Sequence, residues 1–316
     1  MTTLLTANDL YEAQHQSLKL DWIAGAGGKE RLLEPATAKY PGMALVGHMN
    51  FVHPNRVQVL GLTEVDYLKR LPAGERRQAV DNLFRCKTTA AVVVANGQKV
   101  EPALRAAADS HGLALLGSSL PSPRLIDGLQ HYLTRALAAH VTLHGVYMEV
   151  LGLGVFLTGE SGVGKSELAL ELLSRNHRLI ADDAVQFFRV GPDTLIGRCP
   201  GELADFLEVR GLGILNVRAM FGDTSVRREK TLRLVLRLEE LKQKRLAGID
   251  RLQAEQQTRA ILDVEIPEVA LYVAPGRNLA VLVEAATRSH ILRMRGINPL
   301  ADLMSRQEAS MAGKKR

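Results

Sequence analysis

Eight consecutive residues carry the strongest chemical signal in this sequence. Gly159, Glu160, Ser161, Gly162, Val163, Gly164, Lys165 and Ser166 fit the pattern G-x-x-x-x-G-K-[ST] at every fixed position. Gly159, Gly162 and Gly164 carry no Cβ, so the backbone can wrap closely around an anion. The N–H groups of such a loop, and of the helix that follows, point at phosphate. Lys165 brings a mobile point charge to β- and γ-oxygens, and Ser166 offers a hydroxyl to Mg²⁺. The flanks agree: GVFLT before the loop reads as strand, and ELALELLS after it reads as helix.

A phosphate loop implies a nucleotide, not a reaction. Asp182 and Asp183 narrow the choice, because they follow the strand-like run 177–181 one short helix after the loop. One carboxylate there can reach a metal, and its neighbour can take a proton from a hydroxyl or a water. Adjacent like charges raise one proton affinity, which suits a base. The bland alternative is an acidic turn that ends a strand. His144, beside Gly145, precedes the strand that leads into the loop. It comes near the phosphates only if two adjacent strands run antiparallel, and spacing leaves that open. Glu208, in LEVRGLGILNV, can complete a metal shell or can simply sit in a strand. Pro275, Gly276, Arg277 and Asn278 combine a rigid turn, a guanidinium and a helix cap. Such an arginine can clamp phosphate oxygens, and a plain surface turn is equally good physics.

These residues need a scaffold, and composition bounds it. The chain has 316 residues, 46% of them hydrophobic and 23% charged, which describes a globular α/β-sized protein. Cys86 and Cys199 are too few for a disulfide framework and read as idle thiols in a reducing cytoplasm. No apolar run approaches the ~20 residues of a membrane span, and the N-terminus lacks the pattern of a signal peptide. The net charge of +6 suits a phosphorylated or acidic partner. With only 4% aromatics, base-stacking platforms are scarce, so nucleic acid is not expected.

The pattern along the chain divides it near residue 130. Residues 1–130 read as a small α/β domain. A helix is expected over 6–14, and strands in MALVGHM and RVQVLGL. Thr63 should cap a helix with Tyr67 and Leu68 turned inward. A buried strand at 90–94, a helix over 101–110 and a strand at 113–116 follow. SSLPSP and a helix over 124–139, with leucines at 125, 129, 133 and 137, mark the boundary region. Residues 131–316 open with two strand-like runs, HGVYMEV and GVFLTG. A helix should start at Ser166. The charged stretch 230–244 reads as an amphipathic helix, with Arg227, Arg228, Lys230, Arg233 and Arg237 on a solvated face. A strand at 270–273 and a helix over 278–294 close the domain.

The segment HGVYMEVLGLGVFLTGESGVGKSELALELLSRNHRLIADD resembles the core of the bifunctional HPr kinase/phosphorylase family. The likeness continues through LEVRGLGILNVRAMFG and PGRNLAVLVEAA. It also takes in PGMALVGHMNFVHPNRVQVLG, with Glu64 and Tyr67, in the first domain. The resemblance implies a C-terminal phosphate-loop kinase domain with a phosphoenolpyruvate carboxykinase-like nucleotide-binding core. It implies ATP-dependent phosphorylation of a regulatory serine on HPr, with Mg²⁺. It also implies the reverse reaction, in which inorganic phosphate removes the group and pyrophosphate is released. It implies a cytoplasmic homohexamer. The family's catalytic histidine falls on His144, its loop lysine and serine on Lys165 and Ser166. Its acid/base aspartate falls on Asp183, with Asp182 beside it in the charge network, and its metal-side glutamate on Glu208. A family arginine falls on Arg251, where Gln253 departs from the usual glycine. The segment tied to dephosphorylation falls on 272–277, where Ala274 replaces a basic residue. Two other readings of the loop stand beside this one. One is a small-metabolite or carboxykinase-like enzyme, and the other is a nucleotide sensor without turnover. The pair of aspartates argues against the sensor.

Overall fold

In the computed structural model, residues 4–33, 44–51, 53–240, 257–297 and 302–306 are described. The chain forms two compact units, 1–139 and 140–316. The expected boundary near residue 130 falls inside a helix that belongs wholly to the first unit. Among the described residues, no helix is long and apolar enough to cross a membrane.

The first unit runs β1 (Leu5–Thr6), α1 (Ala7–Gln14), β2 (Leu20–Ala24), β3 (Leu32–Leu33), β4 (Val46–His48) and β5 (Val57–Leu60). It continues with α2 (Leu62–Arg70), α3 (Ala73–Arg85), β6 (Ala91–Val94), α4 (Pro102–His111), β7 (Ala114–Ser118) and α5 (Ser122–Ala136). Its sheet has the order β2-β7-β6-β5-β4, parallel from β4 to β7, with β2 antiparallel at one edge. The residues of the inner strands β5, β6 and β7 are buried on both faces, so these strands read as near-continuous apolar runs. Val57, Val59, Ala91 and Val93 pack towards α1 and α5, with Leu125, Leu129 and Leu133. Leu60, Val92 and Val94 pack towards α2, α3 and α4, with Leu68, Leu83, Phe84 and Leu104.

Two local expectations need correction here. Helix α2 starts at Leu62 with Gly61 as its N-cap, two residues earlier than a Thr63 cap allows. Glu64 reaches back and accepts the N–H of Gly61 at 2.9 Å, so a carboxylate closes the helix start. Tyr67 does not turn inward: it is 49% exposed, while Val65 and Leu68 fill the core side.

The second unit runs β8 (His140–His144), β9 (Val146–Val150), β10 (Leu153–Gly159), α6 (Lys165–Ser174), β11 (Arg178–Ala181), β12 (Ala184–Arg189) and β13 (Leu195–Arg198). Then come β14 (Phe206–Val209), β15 (Gly213–Asn216), α7 (Val217–Phe221), β16 (Glu229–Glu240), β17 (Gln257–Ile261), β18 (Val264–Val273) and α8 (Leu279–Met294). Nine strands form one sheet, with β11-β9-β10-β16-β13-β12-β8 as its path and β18 also paired to β16. β14 and β15 make a separate hairpin. The parallel strands β10, β16 and β18 bring their C-terminal ends to one edge, with Gly159 opposite Leu238 and Leu238 opposite Leu271. That edge is where open α/β sheets place ligands. Helices α6 and α8 cover one face, where Leu168, Leu172 and Val283 meet Val155, Leu157, Leu234 and Leu236.

The stretch expected to be a charged helix over 230–244 is strand β16 as far as Glu240, and residues 241–244 lie outside the described ones. Its apolar residues obey a period of two, which a helix cannot bury. Leu234, Leu236 and Leu238 face the α6–α8 core, while Leu232 and Val235 face the opposite core. A register shift against Gly154 and Val155 lets Leu232 and Val235 share a face. Two of the charged residues of β16 are paired rather than solvated: Lys230 meets Glu149 at 2.7 Å, and Arg237 meets Glu268 at 2.8 Å, while Arg233 is exposed as expected.

Leu236 is fully buried at the centre of this sheet. Leu236→Ala is expected to destabilise the chain by about 2–5 kcal/mol, read from urea unfolding followed by circular dichroism. Replacing the exposed Arg228 with Ala should stay within ~0.5 kcal/mol.

Candidate active site

The phosphate loop lies where the sheet edge puts it. β10 ends at Gly159, and α6 begins at Lys165 with Gly164 as its N-cap at φ +95°. Gly162 is also left-handed, at φ +81°. A Cβ on Gly159 would come within 2.5 Å of the Leu238 carbonyl oxygen, so only glycine fits against β16. The Lys165 side chain is 7% exposed, and Nζ donates to the carbonyls of Gly159 at 3.1 Å and Glu160 at 2.9 Å. The ammonium is thus satisfied by its own loop.

The remaining residues arrive by strand pairing. β9 is antiparallel to both β10 and β11, which sets Val146 against Leu157 and Tyr147 against Ala181. The start of β9 therefore lies beside the ends of β10 and β11. β8 is antiparallel to β12, with His144 opposite Ala184. This is the arrangement that spacing left open for His144. Gly145 makes the corner: a Cβ there would lie 2.5 Å from the Leu157 carbonyl oxygen and 2.6 Å from Phe156. Its N–H donates to the Asp183 carbonyl at 3.2 Å.

The two aspartates occupy different environments. Asp182 is 7% exposed. Its carboxylate accepts the Ser166 hydroxyl at 3.2 Å and the Glu208 backbone N–H at 2.9 Å. Burial pushes its proton affinity above the ordinary carboxylate range, and the hydrogen bonds from Glu208, Asp183 and Ser166 oppose that rise. Asp183 has an exposed side chain and a left-handed backbone at φ +63°, which aspartate tolerates better than most residues. Its Oδ1 lies 2.8 Å from His144 Nδ1.

One cleft of about 420 Å³ gathers His144, Lys165, Ser166, Asp182, Asp183 and Glu208 along its lining. Ser161, Gly162 and Gly164 of the loop line it too, while Gly159, Glu160 and Val163 border a neighbouring hollow with Arg237. Glu208 is on β14, directly opposite Ile214, with an exposed side chain. Among the described residues, no three His, Cys, Asp or Glu side chains cluster tightly enough to cage a metal. That suits Mg²⁺, which usually takes one or two protein groups and completes its shell with phosphate and water. Ser166, Asp182 and Glu208 are an all-oxygen set of the right kind. Arg251 lies outside the described residues. The 272–277 segment does not line the cleft: it ends β18 and turns, with the Arg277 N–H on the Ala274 carbonyl at 3.2 Å.

Two residues in the cleft escaped the sequence reading. Glu167 follows the loop serine directly. Arg210 lies over the loop, its Nη1 3.7 Å from where a Cβ on Gly162 would stand. Its position two residues after Glu208, between Val209 and Gly211, was the available signal.

Comparison with known proteins agrees with this geometry. The profile described as HPr Serine kinase N terminus matches residues 5–133, and that described as HPr Serine kinase C-terminal domain matches 135–307. An HPr kinase/phosphorylase of Chromobacterium violaceum is 50% identical over 302 residues, covering 96% of this chain and 94% of that protein. One from Neisseria meningitidis is 48% identical over 307 residues, covering 97% and 95%. A solved structure, the Hpr(Ser) kinase/phosphatase from Coxiella burnetii, is 33% identical, with a TM-score of 0.46 over 49% of this chain and 93% of that one. With both units matched by their profiles and half of all positions shared with a full-length relative, the chain belongs to the HPr kinase/phosphorylase family.

Proposed function

We propose that this protein transfers the γ-phosphoryl group of ATP to a serine of HPr or an HPr-like phosphocarrier. We further propose that the same cleft runs the reverse phosphorolysis with inorganic phosphate. The observation that carries the reading is the convergence of the loop lysine and serine with Asp182, Asp183 and His144 on one cleft. A sensor has no use for the exposed carboxylate held against a histidine. Phosphate transfer from radiolabelled ATP to purified HPr, against a set of small metabolites, tests it.

The two aspartates divide the work. Asp183 is the base: exposed, aimed by His144, and free to accept the proton of the serine hydroxyl as its oxygen attacks. In reverse, an oxygen of inorganic phosphate attacks the phosphorus of phosphoserine. The bond from phosphorus to the serine oxygen breaks, Asp183 returns a proton to that oxygen, and pyrophosphate leaves. Asp182, tied to Ser166 and Glu208, serves the metal side. Bound Mg²⁺ supplies charge neutralisation between the β- and γ-phosphates. Ser166, Asp182 and Glu208 would hold it. Lys165 and Arg210 offset the charge on the transferring group.

The finer parts of the reading follow the family. On the family likeness we propose for the second unit a phosphoenolpyruvate carboxykinase-like nucleotide-binding core, and for Arg251 a place in the catalytic set. The working form is a homohexamer in the cytoplasm, with neither nucleic acid nor membrane as partner. The low aromatic content of 4% supports the first of these exclusions.

Lys165→Ala should cut both directions by about 10²-fold or more, because both move the same group. Circular dichroism of that variant should match the parent. Asp182→Asn should raise the Mg²⁺ needed for half-maximal rate, whereas Asp183→Asn should lower kcat at every Mg²⁺ concentration. Asparagine also tolerates the left-handed backbone at position 183. A rate titrated against metal at fixed nucleotide separates the two, and exchanged phenotypes would reverse the assignment. Ala274→Arg should lower the phosphate concentration needed for half-maximal dephosphorylation of serine-phosphorylated HPr. Position 274 lies outside the cleft lining, so the added charge acts through its longer-range field, which free phosphate feels more than nucleotide already paired with metal does, and nucleotide dependence should barely change.

A further inference from the structure

The first unit contains a cavity of about 520 Å³, which is ordinary for a small-molecule site. It is lined by the segment after β4, by β5, and by α2 and α3. Much of the segment MNFVHPNRVQ, part of the family likeness but not of the phosphoryl chemistry, converges here.

The cavity has a built wall. Gln58 is 1% exposed. Its Oε1 accepts the Asn50 N–H at 3.0 Å, and its Nε2 donates to the Asn50 carbonyl at 3.1 Å. Asn50 Oδ1 in turn accepts the His53 N–H at 2.9 Å, and Asn55 donates to the His48 carbonyl at 2.9 Å. A buried amide therefore pins the loop that carries Phe51. Phe51 and Tyr67 line the cavity while 46% and 49% exposed, in a chain with few aromatics. Gln78 and Asn82 are one helical turn apart on α3, with Glu75 a turn before Gln78. The side chains of Tyr67, Glu75, Gln78 and Asn82 hold no hydrogen bond or ion pair with other described residues.

The lining has amides, aromatic rings and one carboxylate, and no Lys, Arg or His. Carboxamides donate and accept at once, which matches hydroxyl groups that do the same. Aromatic faces cover the apolar C–H side of a saturated ring. A lone carboxylate accepts from hydroxyls and repels phosphate. We propose that this cavity binds a free sugar of one or two rings and rejects the phosphorylated form.

Isothermal titration of the full chain, without nucleotide or HPr, tests this independently of the kinase reading. The probes are glucose, galactose, maltose, lactose, glucose 6-phosphate and uridine. At least one neutral sugar should bind with a Kd of about 1 mM or tighter. Glucose 6-phosphate should bind at least about tenfold more weakly. The double variant Gln78→Ala with Asn82→Ala should weaken the sugar by about tenfold or more, through two lost hydrogen bonds. Both positions are exposed on a helix, where alanine is well tolerated, and HPr phosphorylation should be unchanged. If that variant does not fold, Tyr67→Leu replaces it, with the same loss expected. The proposal is overturned if no neutral sugar binds at millimolar concentration. Binding that survives the substitutions, or tighter binding of glucose 6-phosphate or uridine, overturns it equally.

Discussion

The active site depends on one buried carboxylate. Asp182 is largely buried at 7% exposure, so most of its hydrogen bonding must come from donors in the protein. They find the Ser166 hydroxyl at the start of α6 and the Glu208 N–H on the β14–β15 hairpin. Three separate pieces of chain are thereby held to one group: the phosphate loop, the end of β11 and the hairpin. Without that carboxylate, nothing polar ties Glu208 to the loop. The cost of burying it is offset only while all these donors are in place, which makes the cleft a single unit.

Asp183 owes its freedom to this arrangement. Consecutive residues at a strand end point in opposite directions, and the left-handed turn at Asp183 lets the chain reverse from β11 into β12. One carboxylate goes in and the next comes out to His144. The two neighbouring acids thus differ in depth: Asp182 is 7% exposed, and the Asp183 side chain is open to solvent. His144 is present because β8 lies against β12 with Ala184 as its partner, and because Gly145 alone fits the corner that follows.

Much of this was legible in the sequence, for physical reasons that differ by element. The phosphate loop is local: glycines, lysine and serine do their work within eight residues. The helices capped by Thr6 and Asn278 were readable because the cap and the apolar spacing lie side by side in sequence. β16 was misread because its arginines and lysine were taken as a solvated helical face. The partners of Lys230 and Arg237, Glu149 and Glu268, lie far along the chain, and no local pattern names them. Tyr67 was misread because an apolar ring at a core-like spacing was given a place in the core, whereas it lines a cavity. Residue type and spacing alone did not separate Asp182 from Asp183; their difference in exposure arises only in the fold. Arg210 was overlooked because its nearness to Glu208 in sequence is a weak signal, and its relation to Gly162 arises only in the fold.

Lys165 rests on the carbonyl oxygens of Gly159 and Glu160, within the very loop that is shaped for phosphate. Those two oxygens act as an internal surrogate for the ligand. An arriving anion must draw the ammonium away from partners already in contact, so occupancy is an exchange rather than an addition. Weakly charged anions give up solvent for little in such an exchange. Densely charged ones, with several oxygens to offer at once, complete it. The loop is therefore a threshold for charge density, set before any nucleotide base or protein substrate is consulted.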